Sequence, residues 1–133
     1  MKYMLDTNVC IDYLNGRFPH VVRRVQAARV EDLCVSSVAV AELRYGADRS
    51  THQKRNHQHL DTLLAELRCL PFDEAAARVL GRVRSRLEAK GKPIGPYDMQ
   101  IAAHAIALGV TLVTDNVGEF ARVRDLEIEN WRD

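Results

Sequence analysis

Lys2-Tyr3-Met4-Leu5-Asp6-Thr7-Asn8 is a short apolar run that stops on three small polar residues, and its reading decides the fold. Lys2 to Leu5 predicts a strand, and the short oxygen-bearing side chains of Asp6-Thr7-Asn8 suit the cap of a helix running through about Leu14. A strand that ends on a carboxylate and hands over to a helix opens a parallel sheet covered by helices. The same alternation recurs along the chain. Leu33 to Ser36 predicts a strand, with Ser37 capping a helix to Gly46, and Thr111 to Thr114 predicts a buried strand ending at Asp115-Asn116. Between these units, helices are expected over Val21 to Arg29 and over about His52 to Leu67. Cys69 to Phe72 predicts a short strand, whose Pro71 suits an edge position. The longest helix begins after Asp73, repeats Ala76, Leu80, Val83 and Leu87 at three- and four-residue spacing, and stops at Gly91. A stiff Lys92-Pro93-Ile94-Gly95-Pro96 loop leads into a helix from Tyr97 to Leu108, and Leu126 to Trp131 predicts a last strand.

The 133 residues, 47% hydrophobic and 28% charged, fit one α/β domain spanning 1–133. A chain of this length buries enough surface to close a core without a disulfide or a structural metal. Cys10, Cys34 and Cys69 form no Cys-x-x-Cys pair and cannot all pair internally, which fits a reducing cytoplasm. No apolar stretch approaches the ~20 residues needed to cross a bilayer, and the N-terminus lacks a signal-peptide core.

Three carboxylates are expected at one edge of the sheet. Asp6 and Asp115 lie at the carboxyl ends of strands, where ligands bind in open α/β sheets, and Asp98 sits at the N-terminus of a helix directly after the proline-rich loop. Glu42 differs, because it lies inside a largely apolar helix and needs a partner if it points inward. Singly, each acid could be a cap or turn residue. Together they crowd negative charge into one place, where like charges raise one another's pKa unless a cation is present. The donors are all oxygen, with no cysteine or histidine beside them, which favours Mg²⁺ or Mn²⁺ over zinc.

Met4-Leu5-Asp6-Thr7-Asn8, Ser37-Val38-Ala39-Val40-Ala41-Glu42-Leu43 with Tyr45-Gly46, Pro96-Tyr97-Asp98-Met99-Gln100-Ile101-Ala102-Ala103, and Leu112-Val113-Thr114-Asp115-Asn116 with Glu119-Phe120 resemble the four blocks of PIN-domain nucleases. Their order and spacing are similar to those of the VapC toxins of bacterial toxin-antitoxin pairs. The resemblance implies a three-layer sandwich with strand order 3-2-1-4-5. It implies catalytic and metal-binding acids at Asp6, Glu42, Asp98 and Asp115, with Mg²⁺ as cofactor and Mn²⁺ able to substitute. Thr7, Asn8, Thr114 and Asn116 would orient the carboxylates, and either Asp115 or Glu119 supplies the fourth charge. The implied reaction is hydrolysis of RNA by a metal-activated water, with transfer RNA as the implied substrate. A VapB-type antitoxin and a homodimer are the implied partners.

Net charge is only +1, yet six basic residues from Arg78 to Lys92 face a single acid, Glu88. Arg78, Arg82, Arg86 and Lys90 recur every four residues, and with Lys92 they form a candidate RNA track; a plain solvated helix face has the same pattern. His52, His57 and His59 lack zinc-ligand spacing, and His104 among alanines reads as core or interface. Two other classes compete. A phosphoacceptor signalling domain would want paired acids at the first strand and a lysine at a late one, and neither is present. A catalytically inactive binding module of the same fold has no reason to keep all four acids.

Overall fold

A computed structural model describes residues 1–133. The core strand β1 (Tyr3–Leu5) pairs in parallel with β2 (Leu33–Ser36) on one side and β4 (Thr111–Val113) on the other. β3 (Arg68–Leu70) and β5 (Ile128–Glu129) close the two edges, so the order is β3-β2-β1-β4-β5 and every pairing is parallel. This is the expected order, and β3, with Pro71 just beyond it, does stand at an edge.

Helices fill the crossovers: α1 (Thr7–Asn15), α2 (Pro19–Ala27), α3 (Ser37–Arg49), α4 (Gln53–Glu66), α5 (Glu74–Ala89), α6 (Pro96–Leu108) and the short α7 (Val117–Phe120). Asp6 caps α1 by accepting from the Val9 amide at 2.9 Å, and Asp73 caps α5 by accepting from Ala76 at 3.0 Å. Gly16 and Gly109 end α1 and α6 in the left-handed conformation, at φ 63° and 69°, where a Cβ would be strained.

Several expected boundaries shift. The cap of α3 is Ser36, whose Oγ accepts from the Val38 amide; Ser37 instead accepts from the Phe72 amide and ties the end of β3 to this helix. α3 runs past Gly46 to Arg49, because Leu43 and Ala47 keep its buried stripe going. The helix expected over Val21 to Arg29 is α2, which starts earlier at Pro19, a residue pre-set for the first helical turn. α7 was not foreseen, since a single turn is too short to show periodicity. On α5 the buried stripe is Ala76, Val79, Val83 and Leu87, with Leu80 only half-buried. Cys10 and Cys34 are buried, whereas Cys69 is exposed. No helix is long and apolar enough to cross a membrane.

Met4, Leu5, Val35, Leu112 and Val113 are fully buried in the sheet, and Ile101, Ala102, Ala103 and Ala105 press α6 onto it. The alanines let that helix approach closely. His104, on the same buried face, shares a hydrogen bond of 2.8 Å with Ser36 Oγ and meets the Phe72 ring edge-on at 5.6 Å. Burial pushes its pKa below the ordinary histidine value, so it is a neutral core residue joining α6 to the start of α3. Trp131 lies just after β5, buried against Tyr3 in an edge-on contact at 5.1 Å, with Arg24 stacked over its ring and its indole N–H bonded to Glu129. Trp131→Ala should lower unfolding free energy by about 3 to 4 kcal/mol in urea titration, because it empties a fully packed aromatic site.

Candidate active site

β1 and β4 are neighbours in register, Leu5 opposite Val113, and the chain leads from β1 to β2 on one side of this pair and from β4 to β5 on the other. That is the switch point of the sheet, and the residues just past the two strands, Asp6 and Thr114-Asp115, form its rim. The Asp6 amide bonds the Val113 carbonyl at 3.0 Å and the Thr114 amide bonds that of Glu129 at 2.9 Å, which fixes both backbones. α6 brings Asp98 into its first turn, where a carboxylate complements the positive helix end, and α3 carries Glu42 in its second turn.

All four expected acids converge here. Asp6 is nearly fully buried, and burial pushes its pKa up to about 7; hydrogen bonds from Thr114 and the Val9 amide oppose the rise, while Asp115 and Asp98 add to it by repulsion. Asp98 rises to about 6, first through burial and then through the charges of Glu119 and Glu42. Glu42 does have the partner its position demanded: the Thr7 hydroxyl donates to Oε1 at 2.7 Å.

Glu119, on the unforeseen α7, is held well below its ordinary pKa. It accepts from the Gly95 amide at 2.8 Å and from Asn116 at 2.9 Å, and shares a hydrogen bond with Asp98.

The Thr114 hydroxyl, fully buried, accepts from the Asn116 amide at 3.0 Å and steadies the turn that carries Asp115. Of the residues expected to orient the acids, Asn8 is the exception. It is exposed on α1 and none of the site's hydrogen bonds involves it.

The largest omission from the sequence reading is Arg132. Its guanidinium grips Asp12 through two bonds of 2.7 and 3.0 Å, lies 4.1 Å from the centre of the Phe18 ring, and bonds Asp115 Oδ2 at 3.0 Å. Asp12 is 3% exposed, on the same face of α1 as Val9. A carboxylate three residues from a buried valine, on the inward face of a helix, was the available signal that a cation must come from elsewhere. Asp115 Oδ1, in contrast, is buried with no hydrogen-bond partner.

The donor set suits a hard divalent cation: oxygens only, one of them orphaned, with burial and mutual repulsion raising the pKa of Asp6 and Asp98. No three acids stand as a ready ligand set, because their oxygens are turned toward Thr7, Arg132, Gly95 and one another. The basic residues of α5 line its outer face. Arg78 is paired with Glu74 and Arg86 with Asp125, whereas Arg82 and Lys90 have no ion-pair partner.

The model of the PIN domain family matches residues 3–126. The chain is 38% identical over 131 residues to the tRNA(fMet)-specific endonuclease VapC of Salmonella typhimurium, with 98% of each chain covered. Among solved structures, DNA-bound VapBC from Salmonella typhimurium matches with a TM-score of 0.94 at 38% identity, covering 98% of both chains. VapBC2 from Rickettsia felis, bound to a fragment of its promoter DNA, matches with a TM-score of 0.91 at 37% identity, covering 98% of this chain and 99% of that one.

Two measurements probe this arrangement. Asp6 is protonated in the metal-free fold up to about pH 7 but ionised above about 4 when unfolded, so its contribution to stability is lost as pH rises between these values. Asp6→Asn, which keeps a good helix cap, should therefore raise the Tm of the metal-free protein by roughly 5 °C at pH 8 and leave it unchanged near pH 4. Arg132→Gln strands the buried Asp12 and should cost about 2 kcal/mol in denaturant, with part regained in the Asp12→Asn, Arg132→Gln double variant.

Proposed function

Because this chain belongs to the PIN-domain family and is a VapC-type toxin of a toxin-antitoxin pair, we propose that it is a divalent-cation-dependent endoribonuclease that cuts a transfer RNA. The observation that supports cation dependence is the state of the acids. Burial and mutual repulsion raise the pKa of Asp6 to about 7 and of Asp98 to about 6, and Asp115 leaves a buried oxygen unpartnered.

Asp6, Glu42, Asp98 and Asp115 are the residues that would hold Mg²⁺, or Mn²⁺ in its place. Such a cation lowers the pKa of an attacking water and offsets charge building on the phosphodiester. A bound cation would lower the raised pKa values of Asp6 and Asp98 and hold both carboxylates ionised. Asp115, with one oxygen free, is the fourth acid in this reading, and Glu119 braces the loop of Asp98 through Gly95. Thr7 keeps Glu42 turned inward, and Thr114 and Asn116 set the turn that presents Asp115. Arg132 holds Asp115 from behind and brings positive charge to the rim of the pocket. Arg82, Lys90 and Lys92 offer exposed cations for more distant phosphates.

In-line attack by water leaves a 5′ phosphate and a 3′ hydroxyl. The substrate class follows from the tRNA(fMet)-specific relative, and the partner from the VapBC complexes: a VapB-type antitoxin that covers the site in the cytoplasm. Incubation with an initiator tRNA transcript tests this. Cleavage should require Mg²⁺ or Mn²⁺, stop in EDTA, fall at least 100-fold in Asp98→Asn with an unchanged circular dichroism spectrum, and persist with a 2′-deoxy nucleotide at the cut. Activity that survives both EDTA and Asp98→Asn would refute the metal site.

A further inference from the structure

A groove of about 870 Å³ runs outward from the acids, and its inner wall is Thr7 and Glu42. Beyond them it is lined by Val38 and Tyr45 of α3 and by Tyr97 and Gln100 of α6. Tyr45 is 62% exposed and Tyr97 56%, so two large rings stand in solvent beside the one polar pocket of the sheet. Tyrosine normally gains by burying its ring while wetting only its hydroxyl. Here each ring is three residues or fewer from a site acid: Tyr45 follows Glu42 by one helical turn, and Tyr97 precedes Asp98.

The charge around the groove is equally uneven. Arg49 donates to the Tyr45 hydroxyl at 2.9 Å, and its guanidinium lies 5.7 Å from the ring centre. A cation therefore braces the ring on the side away from the acids, where a phosphate next to a stacked base can be neutralised. Gln100, also in the lining, supplies a donor and an acceptor.

We propose that this groove is a subsite for an unpaired nucleobase of the RNA, adjacent to the phosphate being cut, with Tyr45 and Tyr97 as its stacking surfaces. The inference rests on the ribonuclease reading above and specifies which part of the RNA lies beside the acids. A duplex keeps its bases paired and cannot present one to these rings, so the subsite selects single-stranded or loop RNA at the cut. Stacking on tyrosine is tolerant of base identity; discrimination falls to the amide of Gln100.

The test uses a short single-stranded RNA carrying 2-aminopurine, bound by the whole protein in Ca²⁺, alongside Mg²⁺-dependent cleavage of the initiator tRNA transcript. Wild type should quench 2-aminopurine fluorescence. Tyr45→Ala and Tyr97→Ala should each weaken binding about tenfold and lose quenching, while the Phe variants retain both. Thermal melts of each variant establish that it is folded.

Wild type that cleaves the transcript, with Ala variants that bind and quench normally, would overturn the subsite and leave the ribonuclease reading intact. Failure of wild type to cleave any RNA would remove that reading and the subsite with it. If the Ala variants change only the sedimentation mass and not RNA binding, the rings serve contact between copies of the chain and the proposal is wrong.

Discussion

Carboxylates brought within a few ångströms of one another in a poorly solvated pocket repel too strongly for all to stay ionised. The sheet imposes that crowding here, because β1 and β4 end side by side and each is followed at once by an acid. The neighbouring side chains respond to the excess charge in different ways. Asp6 and Asp98 titrate at raised pKa values, Glu119 spreads its charge over Gly95 and Asn116, Glu42 leans on Thr7, and Asp115 takes Arg132. A hard dication held by these acids would offset the same charge, and the protons it displaced would link its binding to pH.

The alternation of strands and helices and the gathering of Asp6, Asp98 and Asp115 at one sheet edge were legible in local patterns, whereas the order of the strands and the place of Glu42 among the acids came from the resemblance of the four blocks to PIN-domain nucleases. A short apolar run ending on aspartate marks a strand and its rim, and apolar repeats at three and four mark the helices between. Glu42 could be singled out because a carboxylate among Val38, Ala39 and Leu43 has no comfortable place without a donor, and Thr7 proved to be that donor. What escaped was of two kinds. α7 and the change of cap from Ser37 to Ser36 turn on single hydrogen bonds, which no periodicity records. Arg132 escaped because its partners are distant in the chain, 120 residues away at Asp12, and only the finished sheet brings β5 beside β4. Asn8 went the other way: a plausible polar neighbour by sequence, it lies on the outward side of the first turn of α1.

The buried polar groups show how little of this interior is incidental. Asp6 and Thr114 belong to the pocket, Asp12 holds the arginine behind it, and Ser36 with His104 fastens α6 to the head of α3. Each of them has a hydrogen-bond partner, as a buried polar group requires. They also join the two helices that deliver Glu42 and Asp98. A shift of either helix is therefore resisted by the core and by a polar bond near the site, which keeps the carboxylates in place with or without their counter-ion.

The Arg132 bridge has a bearing on when a newly made chain is complete. The grip on Asp12 closes a span of 120 residues, from the first helix to just beyond the last strand. A chain still being translated can form β1, α1 and the helices that follow, yet Asp12 and Asp115 stay without their cation until residue 132 has left the ribosome tunnel. Long-range closure of this sort is slow compared with helix formation. Completion of this ion-pair network therefore waits on the last strand and the residues that follow it.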